Sequence, residues 1–366
     1  MYIGGYNRIM PQYVTMYESW IKRQEPHLVS VQLNVTNTCP QKCIMCHKPE
    51  WAAIQAGSKN VIQVELAVRE LNSLPDLETI VLSGGDPMNY VHLKALIDHI
   101  KPEIKLGMFT TGLDNSTNRY VDLDLTKFGF IRFSIDGATP QTWAKIRGSH
   151  PNSYETAFVN AAFVKNEFVR LYSEAGLDKV RVQYTIQSEN IEEFPLMVKK
   201  CYDNQIPIYG YFVHDYNVVT EQQVLKLRYD LANLFGNTSD FSDWIDRYTN
   251  VRQIITNGDK VSPVDPKNCV IPYLHAFIDT DGSVFPCCYL VGDNLPFDQR
   301  DMKYSYGNIY DTPLLRIMTK ENIERIAAEH INDQNEICRM CSSGPSRYYK
   351  MNAEAEQLSS RRATFL

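Results

Sequence analysis

The chain has 366 residues, 44% hydrophobic and 22% charged, the make-up of a globular protein with more material than one small core holds. Its formal net charge of -6 offers no overall field for a phosphate backbone and argues against nucleic acid as a partner. No apolar run approaches the roughly 18 residues of a membrane helix, and Met1-Tyr2-Ile3-Gly4-Gly5 lacks the layout of a signal peptide. A cytoplasmic protein without a membrane partner is expected, and its nine cysteines point to metal or redox chemistry rather than a disulfide framework.

Residues 1–27 read as an N-terminal extension. From Leu28 onward, short runs of branched and aromatic residues alternate with amphipathic segments, the pattern of successive β-α units around a parallel sheet. The expected strands are Val29–Val35, Thr79–Leu82, Lys105–Thr110, Phe130–Ile135, Val180–Ile186 and Ile206–Phe212. The expected helices are Val64–Leu74, His92–Ile100, Thr156–Glu174, Ile191–Asp203 and Gln222–Leu234. The fold class is therefore α/β, a partial (β/α)6 barrel over 28–235, with functional loops at the strand C-terminal ends. Asn237-Thr238-Ser239-Asp240 opens a connecting segment over 236–266. A second domain over 267–345 follows, with a hairpin signalled by Ala276–Asp279, the turn Thr280-Asp281-Gly282-Ser283 and Val284–Pro286. The tail, 346–366, reads as a short polar helix over Met351–Leu366.

The loop after the first strand carries Cys39-x3-Cys43-x2-Cys46. Three thiolates on a 4Fe-4S cube leave one iron open to a substrate or cosubstrate; the alternative is a zinc knuckle completed by His47. This spacing after a first strand resembles the signature of the radical S-adenosylmethionine (radical SAM) superfamily. The resemblance implies a partial barrel, S-adenosylmethionine on the open iron, reductive cleavage to a 5'-deoxyadenosyl radical, and an electron donor such as flavodoxin or ferredoxin. It also implies site residues. Ser83-Gly84-Gly85-Asp86-Pro87 is similar to the family's Gly-Gly-Glu-Pro, which holds the methionine ammonium; taken alone it is a tight turn. Thr111, after the third strand, joins the cosubstrate set. Ser134 and Asp136 would face the ribose or methionine, and Arg147 would pair with a carboxylate; helix capping and a surface ion pair are their structural alternatives. Met45 stands where the family usually has an aromatic residue near the adenine. Gln183, Tyr184, Tyr211 and His214 are candidates for lining the pocket.

The second cysteine set reads Cys269-x12-Gly282-x4-Cys287, then Cys338-x2-Cys341. Four cysteines also suit structural zinc. The layout resembles the SPASM/twitch extension of radical SAM proteins in its truncated form, which implies Cys269, Cys287, Cys338 and Cys341 as ligands of one auxiliary 4Fe-4S cluster. Cys201 reads as a buried apolar residue, and Cys288 as inert, an alternative ligand or a hydrogen-atom donor.

Two kinds of substrate fit this reading. The first is a small polar molecule, sugar-like or cyclitol-like, oxidised with the auxiliary cluster taking an electron. The second is a ribosomally made peptide that is crosslinked or epimerised. A non-enzymatic scaffold with two metal sites is a third reading, and the incomplete three-cysteine loop speaks against it.

Overall fold

A computed structural model gives the fold and describes residues 28–46, 61–113, 120–213, 219–234, 239–257, 271–291 and 302–332, apart from the side chains of 289, 327 and 330–332. In chain order the strands are β1 (Ser30–Thr36), β2 (Thr79–Gly84), β3 (Lys105–Thr110), β4 (Phe128–Ser134), β5 (Val180–Ile186), β6 (Ile208–Phe212), β7 (His275–Ile278), β8 (Ser283–Phe285) and β9 (Gly307–Asn308). The helices are α1 (Val64–Ser73), α2 (Leu93–His99), α3 (Pro140–Arg147), α4 (Ser153–Tyr172), α5 (Phe194–Asp203), α6 (Glu221–Leu234), α7 (Ser239–Tyr248), α8 (Val251–Asn257), α9 (Ile271–Leu274), α10 (Leu314–Ile317) and α11 (Lys320–Asn332). The chain forms two compact units, one holding Cys39–Pro49 and Met108–Val261, the other Tyr6–Thr38, Glu50–Gly107 and Ser262–Leu366.

In the first unit β4, β5 and β6 run parallel, Ile131 opposite Val180 and Val182 opposite Ile208. One face of these strands is apolar. Ile131 and Phe133 of β4 and Val180, Val182, Tyr184 and Ile186 of β5 are fully buried there, as period-2 alternation requires of a strand covered by helices. The covering helix α4 buries Tyr154, Ala157, Phe158, Ala161, Val164 and Phe168, and α5 buries Phe194, Met197, Val198 and Cys201. The other face carries Arg132, Ser134, Arg181, Gln183 and Thr185.

In the second unit β1 lies between two parallel neighbours, β2 and β7, and the antiparallel strands β8 and β9 extend the sheet beyond β7. Val31, Leu33 and Val35 are fully buried on one side of β1. The polar residues on its other side are paired in a ladder: Gln32 Nε2 donates to Ser83 Oγ (2.9 Å), Ser83 Oγ to Asn34 Oδ1 (2.7 Å), and Asn34 Nδ2 to Asp279 Oδ1 (2.9 Å). The result is a mixed α/β fold with a mostly parallel sheet that does not close on itself.

All six expected barrel strands are present, each with its start within two residues of the expectation. Among the described residues of the first unit, three helices were not expected. One is α3; the others, α7 and α8, lie within the stretch read as a connecting segment. There, Phe241, Trp244, Ile245 and Tyr248 recur at helical spacing and are all buried, a period that the polar opening of the segment conceals. The expected tail helix lies outside the described residues. So do His47 and His214.

Glu70 ties α1 to the C-terminal region within the second unit. It is only 3% exposed, and its Oε2 accepts the Leu314 N–H at 2.7 Å, capping α10, whose own N-cap, Pro313, has no side chain to do so. Glu70→Ala is expected to lower unfolding free energy by about 1–3 kcal/mol, measured by denaturant titration, with Glu70→Gln losing less.

Candidate cluster and cosubstrate site

The cysteine loop of the first unit is held by the end of α3. That helix starts at Thr139, whose Oγ1 caps the Thr142 N–H, with Pro140 in the first turn, and it stops at Gly148 in the left-handed region (φ 57°). Its last carbonyls have no intrahelical donors, and the loop supplies them: Lys42 N–H donates to Arg147 C=O (3.0 Å) and Ile44 N–H to Ile146 C=O (2.9 Å). The approach is so close that a Cβ on Gly148 would stand 2.3 Å from the Lys42 carbonyl oxygen.

The Arg147 side chain fastens the same loop a second time. Its Nε donates to Gln41 Oε1 and its Nη1 to Asp136 Oδ2, each at 2.8 Å. The other Asp136 oxygen, Oδ1, accepts the Thr185 N–H at 2.6 Å. Asn190 braces both backbones, donating to the carbonyls of Asp136 (2.9 Å) and Thr185 (2.8 Å). The start of α3 is fixed by Glu193, whose carboxylate accepts from the amides of Ala138 and Thr139 and from the hydroxyls of Thr139 and Thr142.

Both members of this ion pair are buried. Burial alone would lower the guanidinium's pKa, but Cys43, Asp136, Cys39 and Cys46 together raise it. Burial pushes Asp136 up, with Arg147 and the Thr185 bonds pulling against it. Burial also pushes the Cys43 thiol up to about 11, opposed chiefly by Arg147. Cys39 and Cys43 are half-buried and Cys46 is exposed. Among the described residues no three His, Cys, Asp or Glu side chains gather as a single bound ion would require. A cube seats each thiolate on a different iron and does not need that convergence. Three thiols on one short loop, a buried cation facing them and the buried donor Gln41 Nε2, which lacks a protein partner, suit an anionic iron-sulfur group.

The remaining expected contacts divide between the units. In the first, Ser134 is half-buried opposite Gln183. Half-buried Met45 has Gln187 Nε2 at 3.9 Å from its Sδ. Thr111 is buried and its Oγ1 accepts the Leu113 N–H at 3.1 Å. Tyr184 does not line a pocket: it is on the helix-covered face, with its hydroxyl donated to Asn190 C=O and its ring against Phe194. In the second unit, Gly85 N–H donates to Thr36 C=O (2.7 Å) and Asp86 N–H to Thr38 C=O (2.9 Å). Gly84 has φ 125°, and a Cβ there would meet the Thr36 oxygen at 2.2 Å, so the glycine pair is required by this contact. Asp86 is fully buried and its Oδ1 accepts the Met88 N–H, capping the single turn Pro87–Asn89.

Of the second cysteine set, Cys287 is half-buried and Cys269, Cys338 and Cys341 lie outside the described residues. Cys288, also half-buried, packs on the core group Phe277, Phe285 and Val291. Cys201 is fully buried in α5 and its thiol is pushed far up by burial. Sequence reading overlooked Gln41, Thr185, Asn190 and Glu193. Gln41 alone had a signal, its place between two of the loop cysteines.

The comparisons with known proteins agree with this geometry. A family model described as the radical SAM superfamily matches residues 33–201, and the SPASM model, an iron-sulfur cluster-binding domain, matches residues 269–342. A probable GTP 3',8-cyclase of Methanococcus maripaludis is 24% identical over 184 residues, 47% of this chain and 54% of that protein. A UPF0026 protein of Helicobacter pylori is 30% identical over 117 residues, 30% of this chain and 37% of that protein. The chain thus spans about a quarter to a half of the length of the curated relatives it matches. Among solved structures, SuiB of Streptococcus suis bound to S-adenosylmethionine superposes with TM-score 0.54 at 16% identity, covering 84% of this chain and 70% of that one. Native anSMEcpe with bound AdoMet gives 0.57 at 16% identity, covering 92% and 99%. At such identities these structures show a shared fold. No helix among the described residues is long and apolar enough to cross a membrane. The chain is a radical SAM protein with a SPASM iron-sulfur cluster-binding domain, and its cofactors are S-adenosylmethionine and 4Fe-4S clusters.

Proposed function

We propose that this radical SAM enzyme removes hydrogen from an unactivated C–H bond of a peptide substrate. The observation that carries the chemistry is the three-thiol loop tied to α3 and faced by the buried Arg147. Peptide as the substrate class is supported by two neighbours in the fold comparison, SuiB bound to precursor peptide SuiA (TM-score 0.54) and anSMEcpe with bound Cp18Cys peptide (0.55). A reduced cluster with S-adenosylmethionine supplies the 5'-deoxyadenosyl radical when both are bound. Cys39, Cys43 and Cys46 hold that cluster; Gly84, Gly85, Asp86 and Pro87 shape the methionine end; Thr111, Ser134 and Met45 border the cosubstrate. Arg147 and Asp136 position the loop. Cys269, Cys287, Cys338 and Cys341 hold an auxiliary cluster, and a cytoplasmic flavodoxin or ferredoxin delivers the electron.

Oxidation of a small polar, sugar-like or cyclitol-like molecule is the second reading. It is favoured by the single four-cysteine auxiliary set, which offers one electron acceptor after hydrogen abstraction. Mass spectrometry of a peptide encoded beside this gene, after incubation with enzyme, reductant and S-adenosylmethionine, separates the two. A crosslinked or epimerised product supports the peptide; an unchanged peptide together with an oxidised polyol supports the small molecule.

Alanine at Cys39, Cys43 or Cys46 is expected to abolish 5'-deoxyadenosine formation under reducing conditions, and retained formation would refute the cluster assignment. Replacing Cys269, Cys287, Cys338 and Cys341 together should lower iron by about one cube, roughly four atoms per chain, measured by iron assay on the purified protein. Arg147→Gln strands Asp136 in the interior and frees Gln41. A stability loss of about 3–5 kcal/mol is expected along with reduced iron loading, and Arg147→Lys, lacking the fork that reaches both partners, should restore only part of either.

A further inference from the structure

The face of the first unit's sheet that carries Ser134 also holds two buried arginines which the proposed chemistry does not use. Arg132 of β4 and Arg181 of β5 are register partners, each 6% exposed. The Arg181 guanidinium lies over the Tyr209 ring at 3.9 Å, and the Arg132 guanidinium over Phe130 at 4.7 Å. Tyr209 stacks in turn on Tyr211 at 6.2 Å. One layer nearer the strand C-terminal ends, about 7 Å along, Ser134 and Gln183 are half-buried. The arginine layer therefore lies beneath a layer that solvent reaches.

Arg181 is the unusual member. Among the described residues no carboxylate pairs with it, and its Nε is buried without an acceptor. A guanidinium withdrawn from water without a counter-charge is costly, and a ring face offsets only part of that cost. Nε and the neighbouring Nη form the side of the planar fork that grips a carboxylate with two parallel hydrogen bonds. Arg181 also hydrogen-bonds the Tyr211 hydroxyl, a neutral partner that supplies no counter-charge; burial raises that phenol, against the pull of Arg181 and Arg132.

We propose that Arg181, with Arg132 beside it and Tyr209 as its platform, forms a subsite for a carboxylate carried by the substrate. This deepens the preceding reading and rests on it for the ligand's being the substrate. In a peptide the group is an acidic side chain or the terminal carboxylate.

Equilibrium dialysis of the whole chain against radiolabelled acetate, with inorganic phosphate as comparator and no reductant present, tests the subsite apart from any turnover. Saturable acetate binding is expected, weakened at least ~10-fold in Arg181→Gln and to an intermediate degree in Arg181→Lys. Absence of saturable acetate binding to the unaltered protein would overturn the proposal without reference to any variant. Equal binding by Arg181→Gln would overturn it too, as would phosphate saturating the site where acetate does not. Acetate bound through Arg181 by a protein that never cleaves S-adenosylmethionine would sink the preceding reading and leave the anion site standing; cleavage without acetate binding would do the reverse.

Discussion

The first unit's chemistry depends on one backbone arrangement, the docking of the cysteine loop onto the unpaired carbonyls at the end of α3. The loop that carries the three thiols has few apolar side chains with which to anchor itself. Residues 39–46 instead give two amides to Arg147 and Ile146, groups that the helix leaves without donors. Arg147 then adds a side-chain bond to Gln41 while its charge is balanced by Asp136. One residue thus supplies the loop with a main-chain acceptor, a side-chain donor and a permanent positive charge. Helix end, ion pair and thiols form a single electrostatic unit, in which the cation offsets the negative charge that deprotonated cysteines bring.

The second unit secures the segment before Cys39 in the same manner, again through backbone. Gly85 and Asp86 donate their amides to the carbonyls of Thr36 and Thr38, and neither Gly84 nor Gly85 has room for a Cβ. The acid of the glycine motif is turned toward its own loop, where it caps the turn at Pro87. Within the protein Asp86 closes the tight turn that was its structural alternative, while Asp136 and Arg147 form an ion pair that is buried, where the structural alternative was a surface one. Gln41 Nε2 and Gln187 Oε1 are buried polar atoms that the protein itself leaves unpartnered.

Much of this was legible in the sequence, for reasons that differ from element to element. The barrel strands stood out because their branched and aromatic runs alternate with helical periodicity, and β3 and β5 fall on their expected bounds. Thr139-Pro140 and Gly148 are start and stop signals for α3, yet eight residues between them are too few for an amphipathic period to stand out. The cysteine and glycine motifs were legible as motifs, but their supports were not. Gln41 and Arg147 are 106 positions apart and Asp136 meets Thr185 across 49. Such pairs arise only when strands come into register, and no local spacing announces them. Arg132 and Arg181 illustrate the same limit, since they lie 49 positions apart in the chain and become neighbours only through the register of β4 and β5.

The polar side of β1 shows why a strand destined for the interior of a parallel sheet can carry Ser30, Gln32, Asn34 and Thr36. Left unpaired, such groups would each cost the desolvation of a buried polar atom. The C-terminal hairpin supplies much of what they need: β7 pairs in parallel with β1, Ser30 bonds His275 Nδ1 at 3.2 Å, and Asn34 and Asn37 reach Asp279 and Thr280. Ser83 at the end of β2 completes the ladder through Gln32 and Asn34. The network is paired along most of its length, Asn37 Oδ1 being buried without a partner, and it specifies one register, because a shift of β7 by one residue would turn Asp279 away from Asn34. The hairpin that leads to Cys287 is therefore fixed against the strand that leads to Cys39 by polar complementarity as well as by apolar burial, and the polar alternation of β1, which looks like a defect in a core strand, is what defines that alignment.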